Sequence, residues 1–325
     1  MAFLRTQLHD DYLRIRANGG SNSALALHTA RSMTRAGIVT LVGKPNAGKS
    51  TLLNRLIGQK LSIVSPKPQS TRDRVVGILT RDDVQLVLLD TPGLLDPQYD
   101  LQRAMRAASR TAIEDADVIL HLVDATAPSF ESLVATAGLP GPPRAPIITA
   151  FNKIDRLSPA HLNDLRNEQP GASFISAANG DGIVKLLSRL SESLPDSPFL
   201  YPQEDVSTQQ IRYFVAELVR ETALEQLDDE VPYSVAVEIE EFREDRTPVY
   251  IRAVVYVERQ SQKRIFIGSG GSKIRDIGRA ARAKIEGLVG STVYLDLWVK
   301  VLPNWRKTPS ALSRLGYHVP QDHRR

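Results

Sequence analysis

The chain has 325 residues, 42% hydrophobic and 24% charged, the balance of a globular protein with room for about two domains. It contains no cysteine, which excludes disulfides, thiolate metal sites and a cysteine nucleophile and fits a reducing compartment. No stretch approaches the roughly 18 uncharged apolar residues that a membrane-spanning helix needs. The net charge of +4 hides an uneven distribution: +3 over residues 1–36, zero over 37–203, −10 over 204–245 and +11 over 246–325. A basic block of that size at one end points to a polyanionic partner, with a merely solvated surface as the plain alternative.

Residues 1–36 are polar, rich in Arg and poor in acids, and lack an apolar signal core. The expectation is a disordered leader or a start site misplaced ahead of Met33, with an organelle transit peptide or an ordered arm as alternatives. From Gly37 to Leu194 short apolar strands alternate with amphipathic helices, the pattern of an α/β domain with a mostly parallel sheet flanked by helices. Strands are predicted at 38–42, 75–79, 85–90, 118–124, 147–151 and 173–176, and helices at 49–57, 100–114, 161–167 and 183–194. The Pro- and Gly-rich stretch 138–146 predicts a loop.

The first strand runs into GKPNAGKS, a phosphate-binding loop made of Gly43, Lys44, Pro45, Asn46, Ala47, Gly48, Lys49 and Ser50, followed by Thr51. Its glycines let backbone N–H groups turn inward around phosphate oxygens, and the following helix adds the positive end of its dipole. Lys49 is placed to reach the β- and γ-phosphates, and Ser50 to ligate Mg²⁺. Asp90, Thr91, Pro92 and Gly93 close the third strand; Asp90 can hold Mg²⁺ through water, and the Gly93 N–H can sense a γ-phosphate. Asn152, Lys153, Ile154 and Asp155 close a later strand. A carboxylate there accepts from both N1–H and the exocyclic amine of guanine, a donor pair adenine lacks, so Asp155 selects GTP. Ser176 and Ala177 after the next strand fit a loop presenting backbone N–H to the guanine oxygen.

This order resembles the translation-factor class of GTPases. The resemblance implies that SPKPQSTRDR (65–74) is the first switch, with Thr71 the Mg²⁺-ligating threonine and Ser70 leaving the register open by one residue. Arg72 and Arg74 are open to two readings, catalytic fingers or solvated, RNA-facing switch arginines. Leu94 follows DTPG where Ras-like proteins carry a glutamine, and a leucine cannot polarise water. The P-N-A-G-K-S setting is that of GTPases using potassium, which makes Asn46 a candidate K⁺ ligand. His121, inside a strand, is expected to be a packed core residue rather than a base.

Residues 195–207 predict a proline-containing linker. Beyond it come a helix over 208–227 with Ile211, Phe214, Val215 and Leu218 on one face, and two alternating strands at 235–239 and 249–257. A short helix at 261–267 leads into Gly268, Ser269, Gly270 and Gly271. A helix over 272–288, with Ile274, Ile277, Ala281, Ile285 and Leu288 inward, precedes a last strand at 293–301. The order resembles an α+β type II KH domain over 208–303, followed by a tail, 304–325, with a short helix. Such a domain clamps about four nucleotides of single-stranded RNA at its GxxG turn. Lys273, Arg275 and Arg279, with Arg282, are placed for phosphates, while Ser269 and Gly270 leave the turn itself uncharged.

A GTPase domain over 37–194 joined to a KH domain, with DTPGL, NKID and IGSGGSKI, resembles the Era family of bacterial GTPases. The resemblance implies a monomeric, cytoplasmic GTP- and Mg²⁺-dependent switch that binds the 3′ end of 16S rRNA in 30S subunit maturation. Peripheral contact with the inner membrane is part of the same implication. The alternative is a KH RNA-binding protein whose GTP-sensing domain hardly turns over.

Overall fold

The computed structural model describes residues 34–320. The leader expected over 1–36 lies outside the described residues up to 33, and Arg35 and Ala36 instead open the first strand. The chain divides into two compact units. One comprises residues up to Gln59, Val76–Thr91 and Arg110–Ser207; the other comprises Lys60–Val75, Pro92–Ser109 and everything from Thr208.

In the first unit β1 (Arg35–Val42), β2 (Val75–Arg81), β3 (Val84–Asp90), β4 (Val118–Asp124), β5 (Ile147–Asn152) and β6 (Ser173–Ile175) form one sheet in the order β2-β3-β1-β4-β5-β6. The pairings β1 with β3, β1 with β4, β4 with β5 and β5 with β6 are parallel. Only Asp82 and Asp83 join β2 to β3, a connection too short for anything but an antiparallel hairpin. The helices are α1 (Lys49–Ile57), the end of α2 (Asp100–Glu114) from Arg110 on, its earlier residues counting with the second unit, α3 (Leu133–Ala137), α4 (Pro159–Glu168) and α5 (Ile183–Ser193). Strands β1, β3 and β4 are buried almost throughout, as a sheet covered on both faces requires. Helix α3 was not expected; Ser132 caps it, accepting from Ala135 N, within a stretch whose periodicity is too short to register.

The segment expected as a linker is part of this unit. Val206 O accepts from Ile78 N at 2.9 Å, and Ser207 Oγ donates to Val76 O at 2.6 Å. Gln85 Oε1 accepts from the N–H groups of Leu200 and Tyr201 at 2.8 and 3.0 Å. The segment thereby covers the open edge of β2, an edge that would otherwise present unpaired backbone.

In the second unit α6 (Ile211–Gln226), α7 (Gln260–Ile267), α8 (Ser272–Val289) and α9 (Pro309–Arg314) accompany β7 (Ala236–Arg243), β8 (Val249–Val257) and β9 (Val293–Val301). The sheet order is β7-β8-β9, antiparallel then parallel. Val215, Val219 and Ala223 of α6 and Ile277, Ala281 and Ile285 of α8 pack on Ile251, Ala253 and Val255. Ile211, Val215 and Leu218 of the expected face pack in this cluster and the face continues through Val219 and Ala223, while Phe214 lies outside it. Helix α6 is also buried on a second side, where Arg220 and Glu221 face residues 60–75. Leu288, expected inward, is exposed, and Val289 packs in its place. In the tail, Leu312, Leu315 and Tyr317 join Trp305, Tyr256 and, from α2, Leu101 and Met105 in a second cluster.

Candidate functional site

The phosphate loop connects β1 to α1. Gly48 has φ 96°, and a Cβ there would lie 2.2 Å from Asn152 Nδ2, so neither the backbone conformation nor the space admits a side chain. Lys49 is buried and its Nζ donates to Gly43 O at 3.2 Å and Lys44 O at 3.1 Å, curled over the loop it is expected to cross towards phosphate. Burial pushes its pKa down to about 8 against the opposing charge of Asp90. Ser50 Oγ donates to Asp90 Oδ2 at 2.7 Å, which sets a hydroxyl and a carboxylate side by side at the end of β3. Thr91 Oγ1 donates to Leu41 O at 2.7 Å and holds the strand end in place. Asn46 stands exposed at the loop's tip with φ 61°. His121 is 4% exposed and its pKa falls to about 4 through burial and the nearby Lys49 charge, so it is a neutral core residue, as expected.

Asn152 does more than border the base site. Fully buried, it donates through Nδ2 to Ala47 O and accepts through Oδ1 from Ala177 N, both at 2.8 Å, which ties the phosphate loop to the β6–α5 loop. Lys153, at φ 70°, pairs with Asp124 at 2.6 Å. Asp155 is the middle residue of a short 3-10 turn, Ile154–Arg156. The Ala177 N–H, expected to face guanine, is thus turned to Asn152 instead.

Thr71 and Gly93 belong to the second unit, where residues 60–75 are bound to α6 and its neighbours. Lys60 and Lys284 pair with the buried Glu221 at 2.6 and 3.1 Å, and Lys67 donates to Leu224 O at 2.7 Å, near the C-terminus of α6. Arg220 donates to Ser70 O. Arg72 is buried, donates to Val235 O at 2.5 Å and Tyr233 O at 2.9 Å, and lies over the Trp305 ring. It is neither a finger nor a solvated switch residue here; the backbone carbonyls it satisfies make it an anchor, which corrects both readings. Leu94 is 3% exposed, in keeping with its inability to handle water.

The GxxG turn joins α7 to α8. Gly268 and Gly270 have φ 74° and 55°, and Gly271 has φ 76° at the head of α8. Arg275, Arg279 and Arg282 are exposed along that helix, but Arg279 and Arg282 sit 3.4 and 3.8 Å from Asp276 and Glu286. Arg275 has no carboxylate partner among the described residues. Lys273 Nζ donates to Gln226 O at 3.3 Å, capping α6 rather than standing free. Ile265, 52% exposed just before the turn, is an apolar surface the sequence reading missed.

Residues 38–153 match the family model described as 50S ribosome-binding GTPase, and residues 230–306 match the KH domain. GTPase Era of Carboxydothermus hydrogenoformans is 39% identical over 291 residues, covering 87% of this chain and 98% of its own. That of Lactobacillus delbrueckii subsp. bulgaricus is 41% identical over 294 residues, covering 88% and 97%.

The chain belongs to the Era family of GTPases.

It is a GTP-hydrolysing enzyme with a P-loop α/β domain and a KH domain. Among solved structures, a point variant of Aquifex aeolicus Era bound to GDP.AlF4⁻ matches with a TM-score of 0.81 and 37% identity, over 88% of this chain and 100% of that one. Era in complex with MgGDPNP and nucleotides 1506–1542 of 16S ribosomal RNA matches with the same TM-score, identity and coverage. In this Era-family chain, sequence reasoning missed the inward role of Asn152 and the buried arginines Arg72 and Arg220. Asn152 and Arg72 bond backbone groups far away in sequence, and Arg220 adds the distant Ser70 O to a local pair with Glu217, so no local signal marks these roles.

Proposed function

We propose that this protein is a GTP-controlled switch that binds the unpaired 3′ end of 16S rRNA and acts in maturation of the 30S subunit in the cytoplasm. Residues 37–194 are read as the GTPase domain and 208–303 as the RNA-binding domain, joined by 195–207. The observation that carries the reading is a relative 37% identical over 88% of this chain, described in complex with MgGDPNP and 16S rRNA.

The residues fit Mg²⁺. Ser50 and Asp90 bring a hydroxyl and a carboxylate within 2.7 Å, hard oxygen donors of the kind that ion takes, with Thr71 as the further hydroxyl of the GTP state. When bound, the ion neutralises charge on the β- and γ-phosphates. Lys49 and the Gly93 N–H would hold the nucleotide's phosphates, and Asp155 would accept from the guanine edge. Asn46, an exposed residue of the phosphate loop, is the proposed K⁺ ligand. Arg275 and the backbone of Gly268–Gly271 hold RNA phosphates.

Crosslinking of the full-length protein to cellular RNA, mapped at nucleotide resolution, tests the reading. Sites at the 3′ end of small-subunit rRNA are expected; sites confined elsewhere overturn it. Fractionation of cells checks the cytoplasmic placement and any contact with the inner membrane.

A further inference from the structure

Arg55 lies in α1, one and a half turns beyond the phosphate-loop lysine, and neither the motifs nor the charge pattern single it out. Its side chain reaches the loop that follows β6. Nε donates to Ala177 O at 2.5 Å and Nη2 donates to Ala178 O. Arg55 has no carboxylate partner among the described residues, so its charge is committed to these two carbonyls.

The backbone amides of that loop from Ser176 to Gly180, Ala178 apart, are occupied. Ser176 N donates to Asp181 O at 3.0 Å, Gly180 N donates to Ser176 O at 2.7 Å, and Asn179 N donates to Ser176 Oγ at 3.1 Å. Ala177 N is turned to Asn152 Oδ1. Among the amides of Ser176 to Gly180, that of Ala178 alone has no acceptor among the described residues. In a trans peptide the C=O of one residue and the N–H of the next point opposite ways. Drawing the Ala177 carbonyl to the guanidinium therefore turns the Ala178 N–H away from it, and drawing in the Ala178 carbonyl locks the next peptide as well.

We propose that Arg55 is a positioning residue for guanine recognition, holding the Ala178 N–H as the donor that reads the guanine O6. The inference rests on the reading that Asp155 and this loop together contact the base. Two edges of guanine are then read by different groups: O6 by the loop, N1–H and the exocyclic amine by Asp155.

The experiment is competition binding of GDP, 6-thio-GDP and IDP to the full-length protein. Sulfur at position 6 is a poor acceptor and tests the loop; inosine lacks the exocyclic amine and tests Asp155. Wild type is expected to disfavour both analogues. Arg55→Ala is expected to weaken GDP about tenfold, to bring the GDP to 6-thio-GDP ratio close to one, and to leave the GDP to IDP ratio unchanged. Arg55→Lys, able to restore one of the two bonds, is expected to fall between. An equal loss for all three ligands marks a merely structural support and overturns the inference, as does an unchanged GDP to 6-thio-GDP ratio. A wild type that ignores both substitutions overturns the guanine reading itself.

Discussion

Replacing Asn152 by alanine separates a residue that contacts nucleotide from one that builds the site. The side chain carries two 2.8 Å bonds, one to Ala47 O and one from Ala177 N, and all three residues are no more than 2% exposed. The substitution leaves a buried carbonyl and a buried amide without partners, each at about 1–3 kcal/mol, or about 2–6 kcal/mol together before relaxation. Water entering the vacated space would recover part, so about 2–4 kcal/mol is the expected loss. In the absence of nucleotide the Ala177 amide, which donates directly to Asn152, should exchange its hydrogen about thirtyfold faster or more, the factor for 2 kcal/mol. Hydrogen exchange of the nucleotide-free protein reads this directly. Asn152→Asp keeps the acceptor for Ala177 but opposes a carboxylate to the Ala47 carbonyl, so it should loosen the phosphate loop while sparing the amide. If nucleotide-free Asn152→Ala exchanges like wild type and loses only GDP affinity, the residue acts through the base alone and the reasoning fails.

Lys49 gives a pH dependence. Its pKa of about 8 in the nucleotide-free fold lies below the usual 10.5, so burial penalises the ammonium below pH 8 and the penalty lifts as pH rises through that value. Phosphate restores the charge, so binding takes up a proton above pH 8, and GDP affinity should be about fourfold weaker at pH 8.5 than at pH 7; equal affinities at the two values would contradict it. For RNA, Gly270 is the place to introduce an acid. A Cβ there meets nothing within 4 Å, whereas at Gly268 it would press on the Lys273 backbone N at 2.8 Å. Gly270→Asp, strained only by the left-handed backbone (φ 55°) at about 1 kcal/mol, should lower the melting temperature by a few degrees and weaken single-stranded RNA binding at least tenfold; normal binding would make the turn a structural feature only. GTP hydrolysis should run faster in KCl than in NaCl at equal ionic strength, and Asn46→Ala should lose most of that difference while still binding GTP. Equal wild-type rates in the two salts remove the potassium role.

The elements legible in the sequence are those whose cause is local. Helices α1 and α2 begin and end where expected, the first because Gly48 and Gly58 stop it at both ends in left-handed conformations. Strands β4, β8 and β9 follow from unbroken apolar or alternating runs. Phosphate-loop residues are recognisable because the inward-turned backbone demands small residues at fixed spacing, whatever lies around them.

What the sequence alone determined, then, is the order of elements, the phosphate loop and the GxxG turn, because each depends on a short stretch and its own backbone geometry. Tertiary structure alone decided which polar groups are spent. Arg72 reads as a switch arginine until Val235 and Tyr233 offer it carbonyls from more than 160 residues away. Helix α6 reads as having one apolar face until residues 60–75 bury Arg220 and Glu221 on another. Ser176 and Ala177 read as base contacts until Asn152 takes one amide and Arg55 turns the next. A hydrogen-bonding group has the same potential wherever it stands in the chain, and only the fold sets which partner arrives within 3 Å of it.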